Sequence, residues 1–285
     1  MTYSIVARDT ETGELGVAVQ SRAFRVGLCA WARPGVGAVA TQSFTEPGYG
    51  PRGLDLLADG CSPVEALEEL LAADERNAFR QVAFLAADGR TAAHTGGACI
   101  PDCGHQAAEN LSVQGNMLAS RDVWPAAAEG FAAASGTLPE RLLAGLDAAE
   151  EAGGDFRGRQ AAALLVVSGD PERPTWETVV DLRVDDHPEP LVELRRLHAI
   201  WAARRRLAAL GPECSPAEEA GAAREAGLRE DEVALTEALA EAARGDLDAA
   251  AAALRPLARA DGRWREAVER YERLGILPAG VVGRI

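Results

Sequence analysis

Thr2 is the residue of this chain with the clearest potential for chemistry. It directly follows Met1, and a side chain as small as that of threonine normally permits removal of the initiator methionine. The free α-amino group would have a pKa of about 7.7–8.0, so near neutral pH it could take the proton of its own hydroxyl. Nucleophile and general base would then reside on one residue, which suits acyl transfer from an amide. The alternative is that Thr2 merely opens an edge strand in a chain without hydrolytic activity.

Four further polar residues occupy positions from which they could line a ligand site. Gln114 and Asn116 flank Gly115, where their amides could bind a ligand or equally satisfy backbone groups at a bulge. Arg159 and Gln160 directly precede an apolar run that begins at Ala161. They could line a cleft or cap the neighbouring structure, and the sequence leaves both roles open.

A third group with possible chemistry is the Cys-x-x-x-Cys-x-His cluster of Cys99, Cys103 and His105. A structural zinc site needs four ligands, and no fourth ligand is evident near this cluster. The alternatives are a loop with two free thiols or a local redox pair. We therefore predict no metal and no other cofactor.

The elements that must position these residues follow the order strands, two helices, strands, two helices, strands. Alternation and turn residues predict strands at 3–8, 15–21, 29–32, 36–41, 80–86, 91–94, 112–116, 161–168 and 176–184. Apolar periodicity predicts helices at 50–59, 63–73, 124–134 and 139–152. The strands that follow the first helix pair are expected to form a second sheet. Stacked sheets between paired helices indicate an α+β fold, a four-layer αββα sandwich, rather than alternating βαβ units.

The composition changes after Pro188 to Ala, Leu, Arg and Glu without further strand signals. We therefore predict a first domain over residues 1–190, a linker helix over 191–212 and a small all-α module over 213–285. Helices are expected in that module at 216–226, 230–243, 247–260 and 263–274.

Charge and hydropathy narrow the possible partners. The net charge of −15 and a pI near 4.8 produce a field that repels phosphate backbones and anionic membranes. No stretch approaches the roughly 20 apolar residues of a membrane span, and the start MTYSIVARD lacks an export signal. We expect a cytoplasmic protein with no nucleic-acid or membrane partner. A homodimer is the default assembly, because two-fold assemblies are common.

The start of the chain resembles the N-terminal-nucleophile (Ntn) hydrolases. Residues 16–22 are similar to the second strand of proteasome β-type subunits, which ends in a charged or polar cluster beside the nucleophile. This resemblance implies Arg22 as a residue that lowers the pKa of the amine or binds a carboxylate. It also implies that the backbone N–H of Gly37 helps to form an oxyanion hole, a contribution of roughly 3–4 kcal/mol per donor.

Most of the first 190 residues resemble the family known as domain of unknown function 1028. The matching stretches are residues 31–33, 35–42, 49–54, 113–116, 158–160 and 181–188. These stretches contain the five residues that we predict to bind substrate, which are Gln42, Gln114, Asn116, Arg159 and Gln160. Some relatives carry a C-terminal peptidoglycan-binding-like segment, whose closing motif is similar to Trp264, Leu274, Leu277 and Pro278.

These observations together favour an Ntn-type amidohydrolase that opens a small amide, with Thr2, Arg22 and Gly37 as its catalytic residues. A rival interpretation is a non-catalytic protein on the same fold that binds a metabolite or a cell-wall fragment. A third is a scaffold dominated by the helical module.

Overall fold

The computed structural model describes residues 2–209 and 214–285 of the chain. The described chain forms two compact units, Met1–Arg195 and Arg196–Ile285. We expected the first boundary at residue 190, with a linker helix over 191–212. A helix, Pro190–Ala208, runs across the boundary between the units, and residues 210–212 of the predicted linker lie outside the described residues.

The first unit combines strands and helices in the predicted order. Its strands are β1 Thr2–Arg8, β2 Leu15–Ser21, β3 Ala30–Arg33, β4 Gly37–Ser43, β5 Arg80–Ala86, β6 Thr91–Thr95, β7 Gly104–Ala108, β8 Leu111–Asn116, β9 Ala161–Val167 and β10 Val180–Val184. Its helices are α1 Tyr49–Ala58, α2 Pro63–Ala72, α3 Val123–Ala133, α4 Leu138–Glu151 and the start of α5 Pro190–Ala208.

Two antiparallel sheets form within this unit. The first has the strand order β10-β9-β2-β1-β8-β7, and the second has the order β3-β4-β5-β6. The prediction that strand 112–116 joins the second sheet is wrong, because β8 pairs with β1 from Thr2↔Asn116 to Ala7↔Leu111. Strand β7 was not predicted at all. It covers β8 as the edge of the first sheet, with the register Gly104↔Gly115 to Ala108↔Leu111.

Helices pack on both sheets through close contacts at glycine. Helix α4 crosses β1 at Gly145, where an added Cβ would lie 2.5 Å from Cδ1 of Ile5. Helix α1 approaches β5 at Gly53, where an added Cβ would lie 2.5 Å from Cζ of Phe84. Helices α3 and α4 thus contact the first sheet, and α1 and α2 contact the second.

The starts of α2 and α4 explain why these helices could be read from sequence. Ser62 accepts a hydrogen bond from the N–H of Glu65, whose carboxylate accepts the N–H of Ser62, and Pro63 occupies the first turn. This capping box satisfies backbone donors that would otherwise lack partners. Thr137 and Glu140 form the equivalent box at the start of α4.

The faces of the two sheets that meet form one apolar core. Val6, Val17 and Val19 of the first sheet pack in a cluster with second-sheet residues that include Ala40 and Leu85. Because side chains alternate along a strand, Thr2 and Ser4 lie on the same face of β1 as Val6. Near the start of β1 the interior between the sheets therefore becomes polar.

The second unit is helical in its described part. It contains the rest of α5, then α6 Pro216–Glu225, α7 Glu230–Ala243, α8 Leu247–Ala260 and α9 Arg263–Arg273. Ala238, Leu254, Val268, Leu277 and Val281 form its main buried cluster. Among all described residues, no helix has both the length and the apolar character needed to cross a membrane.

Candidate functional site

A buried polar cluster fills the space between the two sheets at the start of β1. It comprises Thr2, Ser4, Gln42, Gln81, Gln114 and Asn116, none of which is more than 5% exposed. The strand registers bring these residues together: Thr2 and Ser4 of β1 lie opposite Asn116 and Gln114 of β8, and Gln42 of β4 lies opposite Gln81 of β5. Three residues predicted to bind substrate, Gln42, Gln114 and Asn116, thus meet beside Thr2.

Gln42 connects the second sheet to β1 of the first. Its Nε2 lies 2.7 Å from Oε1 of Gln81 and 3.2 Å from the carbonyl oxygen of Thr2. Its Oε1 accepts a 2.7 Å hydrogen bond from Oγ of Ser4, which in turn accepts a 2.6 Å bond from Nε2 of Gln114. The amide therefore fixes the position of the Thr2 backbone.

Gln81 is the centre of the cluster, and the sequence analysis missed it. Its Oε1 accepts hydrogen bonds from Nε2 of Gln42 and, at 2.9 Å, from Nδ2 of Asn116. Its Nε2 lies 2.8 Å from the carbonyl oxygen of Gly115 and 2.9 Å from Oγ1 of Thr95. A single amide in the apolar strand Arg80–Ala86 was the signal that could have identified it, because a fully buried amide needs polar partners.

Thr2 lies at the border of this cluster. Its Oγ1 donates a 3.2 Å hydrogen bond to Oγ of Ser21 on β2, and both residues are buried. The hydroxyl of Thr2 thus lies between the end of β2 and the amide cluster. Met1, whose removal would free the amine of Thr2, lies outside the described residues.

Two strained residues and two buried oxygen atoms mark the same end of the sandwich. Ser43 follows Gln42 with φ 73°, and Met117 follows Asn116 with φ 52°. Positive φ values at residues other than glycine cost about 1–3 kcal/mol each and cluster at functional sites. Within the described ranges, neither Oγ of Ser43 nor Oδ1 of Asn116 has a hydrogen-bond partner although both are buried. A ligand that donates hydrogen bonds would satisfy them.

Arg22 and Gln160 lie beside the Thr2–Ser21 pair. The N–H of Gln160 donates to the carbonyl oxygen of Ser21 at 3.0 Å, and a guanidinium N–H of Arg22 donates to Oε1 of Gln160. Gln160 also donates to Asp186 at 2.9 Å. These two predicted site residues therefore lie at the Thr2 end, on the loops that border the cluster.

Arg159 is placed differently from its neighbour. Its guanidinium lies 2.6 Å from a carboxylate oxygen of Glu189 and 3.4 Å from one of Glu150. Glu150 also accepts a 2.6 Å hydrogen bond from the hydroxyl of Tyr3. Burial, and then the charge of Glu150, raise the pKa of Tyr3 well above its usual value. Arg159 is thus held by two acidic partners, one of which also binds Tyr3.

Gly37 does not lie beside Thr2, where the resemblance to Ntn hydrolases places an oxyanion donor. It opens β4, five residues before Gln42, which corresponds to about 16 Å along a strand. An added Cβ at Gly37 would lie 2.4 Å from the carbonyl oxygen of Leu85. The glycine is therefore required by the close approach of β5, at the end of β4 remote from the polar cluster.

His105 and Cys99 of the cysteine and histidine cluster form hydrogen bonds with residues of the second sheet. Nδ1 of His105 lies 2.8 Å from Oγ1 of Thr95, and partial burial, then the charge of His94, lower the pKa of His105. Sγ of Cys99 donates to the carbonyl oxygen of Arg80 at 3.3 Å. In the part of the chain that the structure describes, no three His, Cys, Asp or Glu residues are placed to hold a metal ion.

Comparison with known proteins identifies the family. Residues 2–194 match the family of unknown function DUF1028, and the chain belongs to this family. The crystal structure of the DUF1028 protein SPO2555 from Silicibacter pomeroyi is similar, with 34% identity and a TM-score of 0.63. That match covers 69% of this chain and 87% of the Silicibacter chain. No curated protein matches the sequence. The family match ends at residue 194, so the whole of the second unit, which begins at Arg196, lies beyond it.

Proposed function

We propose that this chain is an Ntn-type amidohydrolase whose nucleophile is Thr2 after removal of Met1. In this proposal the two sheets and the helices on them are the four layers of an Ntn sandwich. The observation that carries it is the placement of Thr2, which begins a central strand and borders a buried cluster of amides and hydroxyls between the sheets. This cluster is neutral, so the amine of Thr2 would be the base nearest to its hydroxyl.

The proposed reaction proceeds in two acyl-transfer steps. The amine of Thr2 takes the proton from Oγ1, which attacks the carbonyl carbon of the amide and forms an ester when the C–N bond breaks. The proton passes to the leaving nitrogen. Water activated by the same amine then hydrolyses the ester and restores the Thr2 hydroxyl.

The oxyanion donors in this proposal are side chains rather than the backbone of Gly37. Asn116 is the cross-strand neighbour of Thr2 and carries an amide nitrogen, and Ser21 carries a hydroxyl within 3.2 Å of Oγ1 of Thr2. Donors held in a water-poor site stabilise a developing oxyanion by roughly 3–4 kcal/mol each. Gln42 and Gln81 act as positioning residues, because they hold the backbone of Thr2 and the side chain of Asn116.

The alternative is a non-catalytic protein that binds a metabolite or cell-wall fragment on the same fold. The observation that favours it is the burial of Thr2, which is 5% exposed. With Met1 attached, the nitrogen of Thr2 is a peptide amide that cannot act as a base. The second unit would then contribute association or the recognition of a peptidoglycan-like ligand.

Intact mass and a matched set of variants distinguish the two functions. The intact mass of the purified chain shows whether Met1 has been removed. Hydrolysis of a panel of amides is then compared for wild type, Thr2→Ala, Thr2→Ser and Thr10→Ala. Thr10 is exposed in a turn and serves as the control. We expect Thr2→Ala to abolish hydrolysis, Thr2→Ser to retain part of it and Thr10→Ala to match wild type. Equal activity of Thr2→Ala and wild type, or full activity in chains that keep Met1, contradicts the proposal.

A further inference from the structure

Exposed phenylalanines surround the end of the sandwich where Thr2 lies. The sequence has six phenylalanines, of which Phe84 and Phe131 are buried. The other four are exposed by 37% to 74% of their surface: Phe24, Phe44, Phe79 and Phe156. Large apolar side chains that gather at one exposed place commonly mark a binding surface.

The strand registers place all four at the same end. Phe24 follows the end of β2 at Ser21, the hydrogen-bond partner of Thr2. The N–H of Phe156 donates to the carbonyl oxygen of Met117, directly after β8. These two rings therefore belong to loops of the first sheet that border Thr2.

The other two phenylalanines belong to the second sheet. Phe44 comes two residues after Gln42, and its N–H donates to the carbonyl oxygen of Phe79 at 3.3 Å. The two rings pack edge to face with centroids 5.4 Å apart. Loops from both sheets thus carry aromatic rings around the polar cluster.

Two arginines beside these rings have guanidinium groups that form no ion pair among the described residues, although the backbone N–H of Arg22 donates to Asp155 and that of Arg76 to Asp74. The guanidinium of Arg76 lies 5.8 Å from the ring centres of both Phe44 and Phe79. Arg22, two residues before Phe24, donates to the neutral amide of Gln160. Neither arginine forms an ion pair with any residue in the ranges 2–209 and 214–285. In a chain of net charge −15, two such cations beside one site are available for an anionic ligand.

We infer that the site takes an amide that joins an apolar, preferably aromatic, acyl group to a part that carries a carboxylate. The phenylalanine rings contact the apolar group, and Arg22 binds the carboxylate in the fork geometry that guanidinium and carboxylate share. The amide bond between the two parts lies over Thr2. N-acyl amino acids and short peptides with a free C-terminus have this chemistry. The inference rests on the proposed function, because it names the substrate class of the same site.

Binding to the full chain carrying Thr2→Ala tests this inference without turnover. Three probes are compared by calorimetry: N-phenylacetylglycine, its neutral amide N-phenylacetylglycinamide, and N-acetylglycine, which lacks the ring. We expect N-phenylacetylglycine to bind at least about tenfold more tightly than either of the other two. This ranking requires both the ring and the carboxylate.

Matched variants then assign the two contacts. Arg22→Gln should weaken N-phenylacetylglycine about tenfold and leave N-phenylacetylglycinamide unchanged, whereas Arg90→Gln, in the turn between β5 and β6, should change neither. Phe44→Ser should weaken both phenylacetyl probes. Trp176→Ser is its control, because Trp176 is 83% exposed in the loop between β9 and β10.

The outcomes separate this inference from the proposed function. Selective binding to Thr2→Ala without hydrolysis by the wild type supports the inference and contradicts the enzyme. Hydrolysis of amides without preference for ring or carboxylate supports the enzyme and overturns the inference. Failure of all three probes to bind also overturns it. A dimer interface at the rings would also overturn it. In that case sedimentation shows a dimer that Phe44→Ser and Phe156→Ser dissociate, while the affinity for N-phenylacetylglycine is unaffected, because the rings cover a second copy of the chain.

Discussion

Replacement of Gln42 by glutamate should make the stability of the first unit depend strongly on pH. The Nε2 atom of Gln42 faces three acceptors: Oε1 of Gln81 at 2.7 Å and the carbonyl oxygens of Thr2 and Gln114 at 3.2 and 3.4 Å. Gln42→Glu keeps the shape of the side chain and replaces this donor by an oxygen. A protonated carboxyl could donate one hydrogen bond, and a carboxylate could donate none.

The magnitude follows from burial and from the lost donor. Gln42 is 0% exposed, and burial raises the pKa of a carboxyl, for fully buried groups by up to about 3–5 units. The unfolded chain has a pKa of about 4.3 at this position. Stability relative to wild type should therefore fall by about 1.4 kcal/mol per pH unit above that value until the folded-state pKa is reached. For a shift of about 3 units the loss is about 1 kcal/mol at pH 5 and about 4 kcal/mol at pH 8.

Gln42→Glu should also lose some stability that does not depend on pH. The protonated variant still lacks one donor to the facing carbonyl groups, which costs about 1–3 kcal/mol. Urea unfolding at pH 5 and pH 8, followed by tryptophan fluorescence, measures both parts. Trp201 and Trp264 are replaced by phenylalanine so that the signal reports the first unit.

Gln106→Glu is the matched control for this measurement. Gln106 is exposed on β7, so its replacement should change stability little at either pH. The reasoning is refuted if Gln42→Glu loses the same stability at pH 5 and pH 8, because the introduced carboxyl would then be solvated and the cluster would not be dry.

Three further substitutions test other parts of the fold. A hydrogen bond from Arg80 is the main cause that lowers the pKa of Asp74 to about 2. Asp74→Asn should therefore lower the free energy of unfolding, measured in urea at pH 7, by about 2 kcal/mol. The difference from wild type should shrink as the pH falls from about 4 towards 2. Gly37→Ala should lower the free energy of unfolding by about 1–3 kcal/mol, because the new Cβ would meet the carbonyl oxygen of Leu85. Activity per folded molecule should be unchanged, and a selective loss of activity would show that Gly37 belongs to the site. Ser43→Gly should remove the strain of the positive φ at this position and raise the melting temperature, while it lowers the affinity for ligand. A lower melting temperature would contradict the assigned strain.

Local signals predicted most elements of the first unit. Alternation and turn residues predicted the strands of the first hairpin at 3–8 and 15–21, and apolar periodicity predicted a helix at 63–73; each lies within one residue of the bounds of β1, β2 and α2. These features depend on residues close together in the chain, so propensity and turn chemistry suffice to identify them. The same is true of the helices in the second unit, which glycines separate.

Sheet membership could not be obtained in this way. Strand β8 pairs with β1 more than 100 residues away, and nothing within 112–116 distinguishes a place beside β1 from one beside β6. Strand β7 has the sequence Gly-His-Gln-Ala-Ala, which lacks β-branched residues and has mostly exposed side chains. Its strand conformation depends on pairing with β8 rather than on its own propensity.

The candidate site was predicted in part for the same reason. Gln42, Gln114 and Asn116 were named from sequence, but their meeting beside Thr2 depends on two registers in two different sheets. Gln81 was not predicted because its partners Gln42 and Asn116 lie on other strands, which only the folded structure brings beside it. Gly37 was assigned to the site through the resemblance to Ntn hydrolases, whereas the direction of β4 places it at the end of the sheets opposite Gln42.

The distribution of polar residues within the core argues that the Thr2 end is retained for function. Val6, Ala40 and Leu85 fill the middle and far part of the interior with carbon, and similar residues could in principle continue the same packing to the start of β1. Burying amides there gives little net stability even when they are bonded, and the unpartnered oxygen of Asn116 costs about 1–3 kcal/mol. A core selected for stability alone would favour apolar side chains at these positions. The fold bears this cost at the end where Thr2, the guanidinium groups of Arg22 and Arg76 and the exposed rings meet, as the proposed ligand site requires.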